Sequence, residues 1–168
     1  MKEGSTAKEV ALMGVMTALA LIFSYVEVLI PFNFGIPGVK LGLANLVIVV
    51  ALYVMPFKYA FLLDIMKILT ASFLFGNGMT LIYSLSGGLL SFAVMALAKK
   101  IDKLSVIGVS VLGGVFHNLG QLIVAILVMG TLKIAYYFSV LAVAGLVTGL
   151  LLGIVADRII SLLKKQIS

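Results

Sequence analysis

The sequence predicts an all-α integral membrane protein with six transmembrane helices and both termini in the cytoplasm. Three observations carry this. Hydrophobic residues make up 63% of the 168 and charged residues only 11%, against roughly 25% charged in soluble domains, so most of the surface must face lipid. Six apolar runs are each near the roughly 20 residues that a spanning helix needs. The few basic residues fall almost entirely on alternate breaks between those runs.

Taken in order, the predicted spans are 10–30, 39–55, 59–75, 79–98, 104–130 and 134–160 of one domain, 1–168. The first run is followed by no small-residue cleavage site and by five more runs, so it reads as a span and not as a removable signal. Pro31, Gly35, Pro37 and Gly38 stiffen and turn the first loop. Pro56-Phe57-Lys58, Gly76-Asn77-Gly78, the Lys99–Lys103 segment and Thr131-Leu132-Lys133 mark the other breaks. With the N-terminus inside, the inner side holds Lys2, Lys8, Lys58, Lys99, Lys100, Lys103, Arg158, Lys164 and Lys165. The outer side holds only Lys40 and Lys133, which puts the Pro31–Lys40 loop outside as the longest outer loop. Charges scattered this way suit membrane orientation better than a basic face for nucleic acid, and no nucleic-acid partner is expected.

Small residues recur at helical spacing, as they do where helices approach closely in lipid. Span six carries Gly145, Gly149 and Gly153; span four carries Thr80, Ser84, Gly87, Gly88, Ser91 and Met95 on one face. Span one has the row Ala7, Ala11, Gly14 and Ala18, starting at the cytoplasmic surface. Such rows serve packing inside the bundle or docking of another protein, and the row on span one is the best candidate for docking.

Ionisable groups inside a membrane need a partner or a task. Asp64 and Lys67 are three apart on span three and share a face. They form either a self-neutralising pair or a cation facing a cavity that Asp64 tunes. Glu27 falls near the outer end of span one, either at the interface or at the mouth of a site beside Lys40. Span five holds the densest polar arc, with His117, Asn118 and Gln121 near its middle and Ser110, Gly113 and Gly114 on or beside the same side. These groups are too costly to face lipid, so they serve interhelical hydrogen bonds or a ligand. Asn45, with Gly42 and Gly38, lies on one face of span two below the outer loop, with Lys40 as the cation at this entrance. Phe32, Phe34 and Tyr83 are candidates for an aromatic lining. Cysteine is absent and His117 is the single histidine, which makes a poor metal ligand set. No Gly-rich loop with Lys-Ser/Thr exists for ATP. No catalytic residue, metal or cofactor is assigned.

Three stretches, IPGVKLGLANLVIVVALY (Ile36–Tyr53), SGGLLSFAVMALAKK (Ser86–Lys100) and GGVFHNLGQLIVA (Gly113–Ala125), resemble the family called Gx transporters. That family is also labelled heptaprenyl diphosphate synthase component I, and it is similar to the substrate-binding S-components of energy-coupling factor (ECF) transporters. The resemblance covers about residues 8–160. It implies a prokaryotic, multi-pass plasma-membrane protein with an outward pocket closed partly by the loop after helix one. It also implies a coupling transmembrane subunit and two ATPases as partners, the coupling subunit meeting the row Ala7, Ala11, Gly14, Ala18. The ligand would be a small organic nutrient or cofactor precursor, anionic or amphiphilic in view of Lys40 and Lys67, and recognised by Asn45, Tyr83, His117, Asn118 and Gln121. Prenyl-elongating enzymes hold Mg²⁺ and diphosphate with aspartate-rich motifs. This chain has only Asp64, Asp102 and Asp157, far apart and outside any DDxxD pattern, so it is expected not to be an enzyme. Two other readings come from the resemblance: a non-catalytic partner in isoprenoid or quinone synthesis, and a flavin- or quinone-binding electron-transfer subunit.

Overall fold

The computed structural model describes residues 3–30, 40 and 42–167. Among them are six α-helices: α1 (Glu3–Leu29), α2 (Asn45–Val54), α3 (Phe57–Phe75), α4 (Gly78–Ala98), α5 (Val106–Met129) and α6 (Phe138–Ile167). A 3-10 helix, Leu132–Tyr137, leads into α6. Among the described residues, four segments are long and apolar enough to cross a membrane: Glu9–Leu29, Gly78–Ala98, Val106–Met129 and Leu132–Lys165. The chain is a helical membrane protein.

The local chemistry of the breaks explains the boundaries. Pro56 lacks an N–H and closes the turn between α2 and α3 through its carbonyl, which accepts from Tyr59 and Ala60. The Asn77 side chain caps α4 by accepting from the Thr80 amide at 2.9 Å. Ser105 caps α5 by accepting from the Gly108 amide at 3.2 Å, and α5 ends at Gly130 in the left-handed conformation (φ +63°). The sixth element differs from the expected span: residues 132–137 wind as a 3-10 helix and α6 runs on past Ile160 to Ile167.

The largest departure is at the second element. The expected span 39–55 is a ten-residue helix, about 15 Å long, or half the roughly 30 Å hydrocarbon core. Asn45 to Leu52 are buried on every face, the condition of a helix enclosed by others and not facing lipid. Its apolar residues form the main core with Met16 and Ala20 of α1, Ala60 and Leu63 of α3, Phe92 and Met95 of α4, and Ala156 and Ile160 of α6. Continuous hydrophobicity reads the same for lipid-facing and protein-buried helices, so sequence counted this stretch as a full span. Gly42 is not on a helix face; with φ +83° it turns a short strap, described at Lys40 and from Gly42 to Ala44, across the end of the core.

Helix packing is closest along α5. A Cβ on Gly114 would fall on the carbonyl of Gly145, and one on Gly149 would stand 2.7 Å from the Val111 Cα. On the other side of α5, a Cβ on Gly120 would stand 2.5 Å from the Ser86 carbonyl oxygen of α4. The glycine rows of α6 and α4 therefore bring backbones together, as close packing in lipid requires. The helices alternate in direction: Lys99, capping α4, donates to the Leu52 carbonyl at 2.6 Å and so ties the C-terminal ends of α2 and α4 together.

Candidate functional site

At the opposite end of the core, α1 presents a buried stripe of Met16, Ala20, Ser24 and Glu27. The spacing of four, four and three keeps one helix face inward and carries a carboxylate below the strap. Glu27 Oε1 accepts from the Gly42 amide. The Lys40 amide donates to Gln121 Oε1 on α5 at 3.2 Å. The strap is thus held on two sides by buried side chains. Gln121 Nε2 lies 3.1 Å from His117 Nε2. Because Gln121 Oε1 is used as an acceptor, its amide nitrogen donates, and this pattern assigns the neutral His117 its proton on Nδ1. That Nδ1 makes no hydrogen bond among the described residues. A Cβ on Gly42 would stand 3.1 Å from Asn45 Nδ2 and 3.3 Å from His117 Cδ2, so the strap lies against both.

These groups line a small cavity of about 30 Å³ whose walls include Glu27, Lys40, Asn45, Lys67, Ser84 and His117. It has room for about one water molecule. Lys67 pairs with Asp64 at 2.8 Å, both nearly inaccessible. Neither Asp64 oxygen is aligned as a hydrogen-bond acceptor, so the pair is held by charge. The self-neutralising pair and the cavity-facing lysine, offered by sequence as alternatives, coexist. Asn45 is 6% exposed and its Nδ2 donor has no partner among the described residues.

Of the residues that sequence marked for ligand binding, the structure gathers Lys40, Asn45, Lys67 and His117 around the cavity, with Gln121 behind His117. It does not bring Tyr83 and Asn118 there. Tyr83 packs in a second apolar cluster with Leu122, Ala125, Ile134 and Leu141. Asn118 turns to α6 and donates to the Leu141 carbonyl at 2.7 Å. Phe32 and Phe34 lie outside the described residues. Glu27 and Ser24 enter the wall from α1; their spacing from Ala20 on one face was the available signal. The row Ala7, Ala11, Gly14 and Ala18 lies on the exposed side of α1, and a Cβ on Gly14 would meet nothing. Gly14 and Ala18 border an apolar groove of about 540 Å³ between α1 and α3.

An apolar helical bundle around a polar pocket defines a class: a membrane protein with a buried polar site and, among the described residues, no cluster of acidic residues in its walls. More particularly, the family model for heptaprenyl diphosphate synthase component I matches residues 16–159, and the chain belongs to that family. The matched range includes every residue named above as a wall of the pocket. The family's description names one component of a synthase, and so implies a partner subunit. No curated protein and no solved structure matches the chain.

Proposed function

We propose that the chain is a non-catalytic, membrane-embedded binding subunit, similar to the S-components of ECF transporters, that captures a small organic nutrient or cofactor precursor from outside. The observation that supports this reading is the small polar pocket inside an otherwise apolar bundle, beneath a strap that ties α1 to α5. In this reading the chain crosses a prokaryotic plasma membrane six times with both termini in the cytoplasm. The half-length α2 is completed by the strap, and the charges of α3 are accommodated by the Asp64–Lys67 pair. The strap end faces outward and the Lys99 end inward, in keeping with the basic residues gathered there. Ligand entry lifts the strap off Gln121 and Glu27. Transport then needs an ATP-driven partner, with the outward row on α1 as the face for its coupling subunit. The chain itself performs no chemistry.

The family match favours a second reading, a partner subunit in heptaprenyl diphosphate synthesis. In that reading a prenyl chain would lie in the apolar groove of about 540 Å³ beside α1 and α3. Native mass spectrometry of the detergent-purified protein, followed by release of bound compounds, separates the two. A hydrophilic compound retained by the wild type and lost in the double variant His117→Leu, Gln121→Leu, with the thermal melt still cooperative, supports capture in the pocket. A prenyl diphosphate retained equally by both proteins overturns it in favour of the second reading.

A further inference from the structure

The charges around the pocket come in opposite pairs. Lys67 is matched by Asp64 at 2.8 Å. Lys40 and Glu27 line the same cavity from the strap and from α1. Counting Asp64, which pairs with Lys67 behind the wall, the site carries two formal positive and two formal negative groups and no net charge. A buried charge without a counter-charge is strongly disfavoured in such a setting. A closed, loaded pocket is accordingly neutral only if its ligand adds no net charge. A neutral ligand without charged ends would leave the two separated charges of Glu27 and Lys40 facing it without reward.

A second observation bears on the ligand. Asn45 lines this cavity, and its buried Nδ2 donor has no acceptor among the described residues. Buried donors are rarely left unpaired, so the group asks for an acceptor from the occupant. With Lys40 it forms the donor side of the pocket, and Glu27 forms the acceptor side.

Resting on the reading of this pocket as a capture site, we propose that its ligand is a small zwitterion, with a cationic amine end at Glu27 and an anionic end at Lys40 and Asn45. This replaces the anionic character that Lys40 and Lys67 imply when the sequence is read without their partners. Sequence cannot show that Glu27 shares the pocket wall with Lys40, or that Asp64 pairs with Lys67 from behind that wall. The volume of about 30 Å³ means that the ligand enters with the strap displaced, and it favours the smallest members of the class.

The test is the thermal melt of the full detergent-purified chain against three probe sets. The zwitterions are the common L-amino acids and γ-aminobutyrate; the anions are lactate, succinate and inorganic phosphate; the cations are ethanolamine and putrescine. A saturable rise in melting temperature with at least one zwitterion, and none with the anions or cations, is expected. Glu27→Gln keeps an acceptor for the Gly42 amide but removes the charge. It should weaken zwitterion binding by about tenfold or more and let a simple carboxylate bind instead. Stabilisation of the wild type by an anion or a cation in preference to zwitterions overturns the charge assignment and leaves the capture reading standing. Stabilisation by none of the probes overturns both.

Discussion

The two sides of this bundle use small residues in opposite ways. On the α4–α5–α6 side glycines are buried and the helix backbones touch: Gly114 against Gly145, Gly149 against Val111, Gly120 against Ser86. On the α1 side a row of the same spacing is exposed and borders a groove. Spacing alone marks a helix face as smooth. Whether that face is used within the chain or offered outward depends on which other face carries the larger and more polar side chains. In α1 the stripe Met16, Ala20, Ser24, Glu27 takes the inside, bringing a carboxylate to the pocket. The small row is left outside as a consequence.

The largest effect expected from this contrast is at Gly114. Leu there would put a side chain into the Gly145 carbonyl, where backbone stands on both sides and cannot give way. Overpacking of this kind costs about 1–3 kcal/mol or more. The Gly114→Leu protein should melt at a clearly lower temperature in detergent or fail to accumulate. Gly14→Leu, where a Cβ meets nothing, should melt like the wild type. If the outward row is a docking face, Gly14→Leu should nevertheless lose its partner on co-purification. A Gly14→Leu protein that melts as low as Gly114→Leu would erase the distinction between the two sides.

The same contrast shows what sequence could and could not reveal. Helices α3, α4 and α5 were legible within a residue or two because Pro56, Asn77, Ser105 and Gly130 punctuate them. Helix α2 was misjudged as a full span, because Leu46–Leu52 is apolar whether lipid or protein surrounds it. At the site, Lys40, Asn45, Lys67 and His117 stood out as polar groups in oily surroundings. Tyr83 and Asn118 stood out for the same reason, yet they face α5–α6 packing instead. Polarity in a membrane segment marks a residue as turned inward, but the neighbour it meets is set by helix rotation and tilt. One turn on α5 separates Gln121, which holds the strap, from His117 at the cavity. Asn118, a single position beyond His117, already belongs to the α6 interface.

A smaller effect sharpens the comparison within the site. Gln121 supplies the acceptor that fixes the strap to α5. Leu in its place is similar in size and fully buried, so the bundle should stay folded. Interhelical hydrogen bonds in membrane proteins are worth about 0.6–1.7 kcal/mol. Gln121→Leu should therefore speed hydrogen exchange of the Lys40 and Gly42 amides by roughly three- to eighteen-fold through more frequent local opening, with α5 amides unchanged. Equal acceleration along α5 would mean that Gln121 supports the helix packing and not the strap.

The smallest expected effect lies on the tightly packed side. Ser91 of α4 donates to the Gly113 carbonyl of α5 at 2.9 Å, in a fully buried contact. That carbonyl already accepts within its own helix, and the Gly120–Ser86 and Gly87–His117 contacts hold the same two backbones together. Ser91→Ala removes one hydroxyl and leaves no donor stranded, so the loss should stay near 0.6 kcal/mol, the average for such bonds. Its melt should sit close to that of the wild type. A drop approaching that of Gly114→Leu would show that the α4–α5 interface is held by its polar contacts, and that glycine-permitted closeness follows from those bonds and does not cause them.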